Sequence, residues 1–270
     1  MSLDLSPLGF RKTPFTREMD TADRFTLPHQ DEAIEALTEA VSQRMSAALI
    51  APAGTGKTVA LRTLVSRLPE VRYQIRYVKV TGLSKRDLCK EIAVVCGLSP
   101  TGIYPALVRK LQDAFEHTSG TDGVRPVLLL DEAHDLRPES LAMLRLLTNF
   151  DMDSRLVVSF VLAGQPPLRT LLARPQQTAM AQRLAHYATL RSLSRDETLA
   201  YIAHRCAVAG APSPPFDTDA LETVFEMSRG NLRAIDRLAL KAIESAVWTR
   251  SDRSVVSSGD VITARKMLWP

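Results

Sequence analysis

The chain has 270 residues, 45% hydrophobic and 24% charged, with a formal net charge of +4. That composition predicts a globular protein with one large domain or two modest ones. It offers no apolar run near the roughly 18 residues of a membrane span and no apolar signal core at the N-terminus, so the expectation is a cytoplasmic protein without an anchor. The mild basicity permits a nucleic-acid partner without requiring one, because such a footprint depends on clustering. Cys89, Cys96 and Cys206 lack metal-site spacing and read as reduced thiols, partly buried.

Residues 1–26 are rich in Pro, Arg, Lys and Thr without a clear period, and read as an arm lying on the main domain. Ala33, Ile34, Leu37, Val41 and Met45 fall at helical spacing over 30–45. A short apolar strand over 47–51 runs into a glycine-containing loop, and a helix over 58–68 stops before Pro69. Residues 73–80 alternate as a strand, and 84–96 form an amphipathic helix closed by Gly97. A helix over 105–117 and a loop over 118–125 precede Val127-Leu128-Leu129-Leu130, apolar enough for a strand buried on both faces. A helix over 138–150 and a second buried strand over 156–163 follow. This alternation predicts a parallel α/β sheet with helices on both faces. After Leu193 the pattern is helical only, over 195–209, 217–228, 231–249 and 259–268. Ser194-Arg195-Asp196-Glu197 reads as a capping box. The expected organisation is an arm (1–26), an α/β core (27–193) and a small all-helical domain (194–270).

Chemistry concentrates in two segments. Residues 51–58, A-P-A-G-T-G-K-T, sit between a predicted strand and a predicted helix, the setting a phosphate-binding loop requires. Gly54 and Gly56 let the backbone curl, so that successive N–H groups along the loop Ala51, Pro52, Ala53, Gly54, Thr55, Gly56, Lys57, Thr58 and Val59 face the phosphates. Lys57 is expected to face the β- and γ-phosphates, and Thr58 to offer its hydroxyl to Mg²⁺. The positive end of the helix adds to the attraction. The usual pattern begins with glycine, and here Ala51 holds that position. The second segment, V-L-L-L-D-E-A-H at 127–134, ends an apolar strand in two carboxylates. Asp131 is expected to hold Mg²⁺ through water and Glu132 to orient the attacking water. ATP and Mg²⁺ are the implied cofactors. The letters D-E-A-H also name a helicase box, but the residues after His134 read as one or two strands and then helices, with no second nucleotide-facing α/β domain.

Core, lid and motif order resemble the AAA+ superfamily. By that resemblance, Gln165, ending the strand L-V-V-S-F-V-L-A-G-Q, takes the sensor 1 position. Arg183, before H-Y-A-T-L-R-S-L-S-R-D-E, stands where relatives carry an arginine finger acting in a neighbouring subunit. Arg233, in R-G-N-L-R, matches sensor 2. More narrowly, V-L-L-L-D-E-A-H-D-L-R-P-E-S-L-A-M-L-R-L-L-T-N-F, V-L-A-G-Q-P-P-L-R-T-L-L, A-Q-R-L-A, L-S-R-D-E-T-L-A-Y-I-A-H-R and S-R-G-N-L-R-A-I-D-R-L look like the ExeA/GspA-type family over about residues 10–250. That family occurs in type II secretion, fused to a membrane helix and a wall-binding region. It also occurs in mobile elements, beside a DDE transposase, where it resembles regulators of the MuB, TnsC and IstB class. The sequence to Pro270 carries neither added region, so the expectation falls on the mobile-element setting.

Such regulators oligomerise as rings or filaments on duplex DNA through backbone contacts. Lys79, Thr81, Ser84, Lys85, Arg86 and Lys90, at a strand-to-helix junction, are the first candidate contacts here, and Arg109 with Lys110 the second. The combined expectation is an ATPase that assembles with copies of itself on DNA and recruits or stimulates a DDE-type transposase, with no membrane partner. A secretion-type assembly ATPase and a low-turnover nucleotide switch are the alternatives.

Overall fold

In the computed structural model, residues 5–16, 20–120, 123–249 and 255–268 are described. Residues 1–4 and 17–19 of the expected arm, part of the loop expected over 118–125, and 250–254 and 269–270 of the expected lid lie outside them. The chain divides into two compact units, 27–53 with 57–190, and 1–26 with 54–56 and 191–270.

The first unit holds strands β1 (Ser46–Ile50), β2 (Tyr73–Lys79), β3 (Arg125–Asp131), β4 (Ser159–Gly164) and β5 (Leu184–Thr189). They form a five-stranded sheet in the order β2-β3-β4-β1-β5, and every pair is parallel. Its helices are α1 (Pro28–Ser42), α2 (Lys57–Arg67), α3 (Lys85–Val95), α4 (Tyr104–Gly120), α5 (Pro138–Leu147), α6 (Pro167–Leu172) and α7 (Thr178–Ala181). Side chains alternate along β3 and feed two cores. Leu128 and Leu130 join Leu88, Ile92, Leu107, Leu111 and Phe115 of α3 and α4. Val127 and Leu129 join Ile34, Leu37, Leu61 and Leu64 of α1 and α2. A strand buried on both faces needs an unbroken aliphatic run, and each such side chain contributes about 1.5–3 kcal/mol by leaving water.

Several boundaries differ from the sequence reading. The last helix turn before the acidic motif extends to Gly120 because Thr118 is buried beneath it. Helix α5 stops at Leu147 rather than 150, and β4 begins at Ser159 rather than 156. Between them Asp151, Met152 and Asp153 take left-handed backbone conformations that end helical continuity. Leu156 is 40% exposed and lies outside the strand. Helices α6 and α7 are too short for a periodic signal.

The second unit contains α8 (Arg195–Val208), α9 (Thr218–Ser228), α10 (Leu232–Thr249) and α11 (Ser258–Leu268). The Ser194/Glu197 capping box forms in full, and Asp217 caps α9 through the Ala220 N–H. Within the second unit, described residues of the arm contact α8 and the residue that follows it. Arg11 N–H donates to the Ala209 carbonyl at 2.9 Å and the Arg205 guanidinium to the Thr16 carbonyl at 2.7 Å. Phe25 packs edge-on against Tyr201, with ring centroids 5.8 Å apart. Aromatic residues and a guanidinium in complementary positions thus outweigh the polar look of the segment. Tyr201 donates to Asp236 at 2.8 Å. Burial pushes the Asp236 carboxyl up to about 6, against the lowering effects of Arg205 and the Tyr201 hydrogen bond.

All three cysteines are free thiols. Burial raises Cys89 and Cys96 to about 11 and Cys206 to about 12, which keeps them protonated and poorly nucleophilic.

Candidate nucleotide site

The loop begins where β1 ends. Ala51 is fully buried, and its N–H donates to the Gly164 carbonyl at 2.9 Å, extending the β1–β4 ladder by one residue. Its φ is not positive, unlike those of Gly54 (80°) and Gly56 (94°). A methyl group is therefore compatible with this position, and the departure from glycine costs no backbone strain. Pro52 and Ala53 are exposed, Thr55 is buried, and Lys57, Thr58 and Val59 open α2. Gly54–Gly56 group with the helical unit, where the Arg233 backbone N–H donates to the Gly54 carbonyl at 3.2 Å. The Arg233 side chain is exposed.

Lys57, Asp131 and Glu132 meet in the first unit. The Lys57 ammonium lies 2.6 Å from Asp131 Oδ1 and 2.8 Å from Glu132 Oε1, with side-chain exposures of 11%, 6% and 28%. Strand β3 ends at Asp131, and Glu132 takes a left-handed conformation (φ 55°) that breaks the strand. Its N–H folds back to Asp131 Oδ1 at 2.8 Å. The cation comes from a distant part of the chain and neutralises one of the two carboxylate charges, leaving the group with one net negative charge in a poorly hydrated site.

Gln165 follows β4 and reaches this group through His134. Its side-chain nitrogen is 3.0 Å from His134 Nε2, and His134 Nδ1 is 3.4 Å from Glu132 Oε2. A neutral imidazole has one donor and one acceptor nitrogen. The Gln165 backbone N–H also donates to His134 Nδ1 at 3.4 Å, so Gln165 meets both ring nitrogens of His134. Gly164 makes this approach possible, since a Cβ there would stand 2.9 Å from the His134 backbone nitrogen. The sequence reading quoted His134 as a motif letter and gave it no role, and Tyr77 had none either. The Tyr77 hydroxyl donates to Asp131 Oδ2 at 3.0 Å. Burial, then the Asp131 and Glu132 carboxylates, push the phenol up to about 12. Nothing in local spacing reveals either residue.

The other expected residues lie elsewhere. Arg183 precedes β5 and pairs with Asp153 at 2.6 Å. At the β2–α3 junction Lys79 and Thr81 are exposed, while the rest is partly engaged. Ser84 caps α3 through the Asp87 N–H, and Arg86 donates to the Gly102 carbonyl at 3.4 Å. Lys85 sits over the Tyr104 ring and Lys90 is 3.8 Å from Asp87. Lys110 donates to the Thr101 carbonyl, and Arg109 is exposed.

Residues 39–172 match the AAA domain family. The chain is also 34% identical over 215 residues to General secretion pathway protein A of Aeromonas hydrophila. The chain belongs to the AAA ATPases. Within this group it is of the ExeA/GspA-like kind. The match to the Aeromonas protein covers 78% of this chain and 38% of that protein, so the chain spans well under half of its relative. As an AAA ATPase it has the expected fold. Cdc6p from Pyrobaculum aerophilum superposes with a TM-score of 0.71 at 19% identity, covering 98% of this chain and 72% of that one. The Aeropyrum pernix ORC1 protein gives 0.70 at 19% identity, covering 96% and 70%. The Thermotoga maritima RuvB branch migration motor gives 0.63 at 18%, covering 94% and 73%. Among the described residues no helix is long and apolar enough to cross a membrane.

Proposed function

We propose that this AAA ATPase is an assembly switch that hydrolyses ATP with Mg²⁺, oligomerises with shared nucleotide sites, and works on duplex DNA as a cytoplasmic transposition regulator beside a DDE-type transposase. The observation that carries the nucleotide reading is Lys57 held between Asp131 and Glu132. An ammonium there occupies the position between the two carboxylates that cationic chemistry requires. The donor set fits Mg²⁺, which is commonly held by one or two carboxylates together with phosphate oxygens and water. Asp131 and the Thr58 hydroxyl would hold it, and it would supply charge neutralisation at the phosphates.

This chain's own groups perform the remaining tasks. The loop N–H groups and Lys57 bind the phosphates. With Lys57 turned to phosphate, Glu132 is released to accept a hydrogen bond from the attacking water. Gln165 and His134 hold Glu132 in place. Arg183 from a neighbouring copy and Arg233 from the lid add positive charge as the bond to the γ-phosphate breaks.

The DNA reading is supported by the exposed Lys79 and Thr81 with the adjacent basic residues of α3. The ORC1 protein of the same fold is in complex with DNA, which is compatible. The relative from Aeromonas hydrophila favours a second reading, a secretion-type assembly ATPase. Filter binding with random duplex DNA, a non-hydrolysable ATP analogue and the Glu132→Gln variant separates the two. Nucleotide-dependent retention at low salt supports the DNA reading, and its absence in both proteins sinks it. Loss of ATP hydrolysis by about 100-fold or more in Glu132→Gln is expected from a lost general base.

A further inference from the structure

Strand β2 is a sheet edge, and among the described residues its only strand neighbour is β3. The two run parallel with Tyr77 opposite Leu129 and Lys79 opposite Asp131. Side chains two residues apart on a strand share a face, so Tyr77 stands on the same face as Leu129 and Asp131. A tyrosine is long enough to cross the diagonal between neighbouring strands. Its hydroxyl therefore meets Asp131 Oδ2 at 3.0 Å.

The Asp131 carboxylate is held at both oxygens. Oδ1 accepts the Glu132 N–H at 2.8 Å and faces Lys57 at 2.6 Å. Oδ2 accepts the Tyr77 hydroxyl. The strand is tied as well, by the Val80 N–H donating to the Asp131 carbonyl at 2.8 Å. When Lys57 turns to a phosphate, Oδ1 keeps one short-range tether, from its own neighbour's backbone. The Tyr77 hydroxyl is then the side-chain contact that stops the carboxylate from rotating about χ2, a torsion with broad, soft wells.

We propose that Tyr77 is a positioning residue that fixes the orientation of the Asp131 carboxylate, the group that would hold the nucleotide's metal. Partners that orient a metal-holding carboxylate are commonly worth 10- to 100-fold in metal affinity. Tyr77 is 49% exposed at a sheet edge, so replacing it by phenylalanine removes the hydroxyl and leaves the ring and the fold in place.

The inference rests on the reading of Asp131 as the metal-holding group. The test measures binding of a fluorescent ATP analogue to the full chain in EDTA and then across a Mg²⁺ titration. For Tyr77→Phe the EDTA affinity stays within twofold of wild type, while the Mg²⁺ concentration at half-effect rises about 10-fold. For Asp131→Asn the Mg²⁺ effect is lost, and adding Tyr77→Phe to it changes nothing further. An unchanged Mg²⁺ midpoint in Tyr77→Phe, beside an impaired Asp131→Asn, overturns the role of Tyr77 alone. An unchanged Asp131→Asn overturns the metal assignment instead. A parallel fall in EDTA affinity and Mg²⁺ response shows general packing loss and also overturns the proposal.

Discussion

Arg183 and Asp153 form an ion pair of 2.6 Å that ties the residue before β5 to the left-handed turn following α5. Asp153 is half exposed in this pair, while the Arg183 side chain is only 17% exposed. Arg183→Ala is expected to lower hydrolysis by about 1,000-fold while leaving nucleotide affinity intact, as for other arginines acting in trans. Mixing Arg183→Ala with Lys57→Ala protein restores part of the activity, because each supplies what the other lacks. Steady-state phosphate release from the mixture checks this, and wild-type rates from Arg183→Ala by itself rule the finger out.

Lys57→Ala has two expected consequences with different readouts. Nucleotide affinity falls by at least about 10- to 100-fold through lost charge-assisted bonds to phosphate. The nucleotide-free protein is also destabilised, by about 3 kcal/mol, because two carboxylates lose the cation between them. Fluorescent-analogue titration and urea unfolding measure the two separately. Unchanged affinity in this variant refutes the placement of the phosphate site.

Asp236 gives a pH dependence. Its carboxyl is raised to about 6 by burial in the helical unit, above the ordinary unfolded value near 4. The folded state therefore binds the proton more tightly. The associated stability is present below about pH 4 and is lost as pH rises through 6, a change of at most about 3 kcal/mol. Between pH 7.5 and 5.5 this group makes the unit more stable on acidification. Asp236→Asn, which keeps an acceptor for Tyr201, is expected to flatten that part of the profile in urea unfolding at several pH values. An unaltered slope would show that another group titrates there.

The phosphate loop was legible because its chemistry depends on adjacent residues. Two glycines with positive φ, a lysine and a threonine must follow one another directly. The aliphatic run before Asp131-Glu132 was legible for a similar reason, since a central parallel strand is buried on both faces. The capping box at Ser194 and Glu197 is local as well. The ends of α5 and β4 were misread because three consecutive non-glycine residues at 151–153 adopt left-handed conformations, which propensity does not foresee.

The amino-acid sequence by itself determined the AAA class, the strand and helix alternation, and the identity of Lys57, Asp131, Glu132 and Gln165 as candidate site residues. Only the tertiary structure decided their partners. Sheet register brings Tyr77 to Asp131 across 54 positions of sequence. The bare Gly164 lets His134 lie between Gln165 and Glu132, and ladder pairing to Gly164 makes Ala51 compatible with the loop. The contacts of Phe25 with Tyr201 and of Arg205 with Phe15 likewise join residues far apart in the chain. Contacts of this kind depend on how distant segments are stacked, and linear spacing carries no record of that.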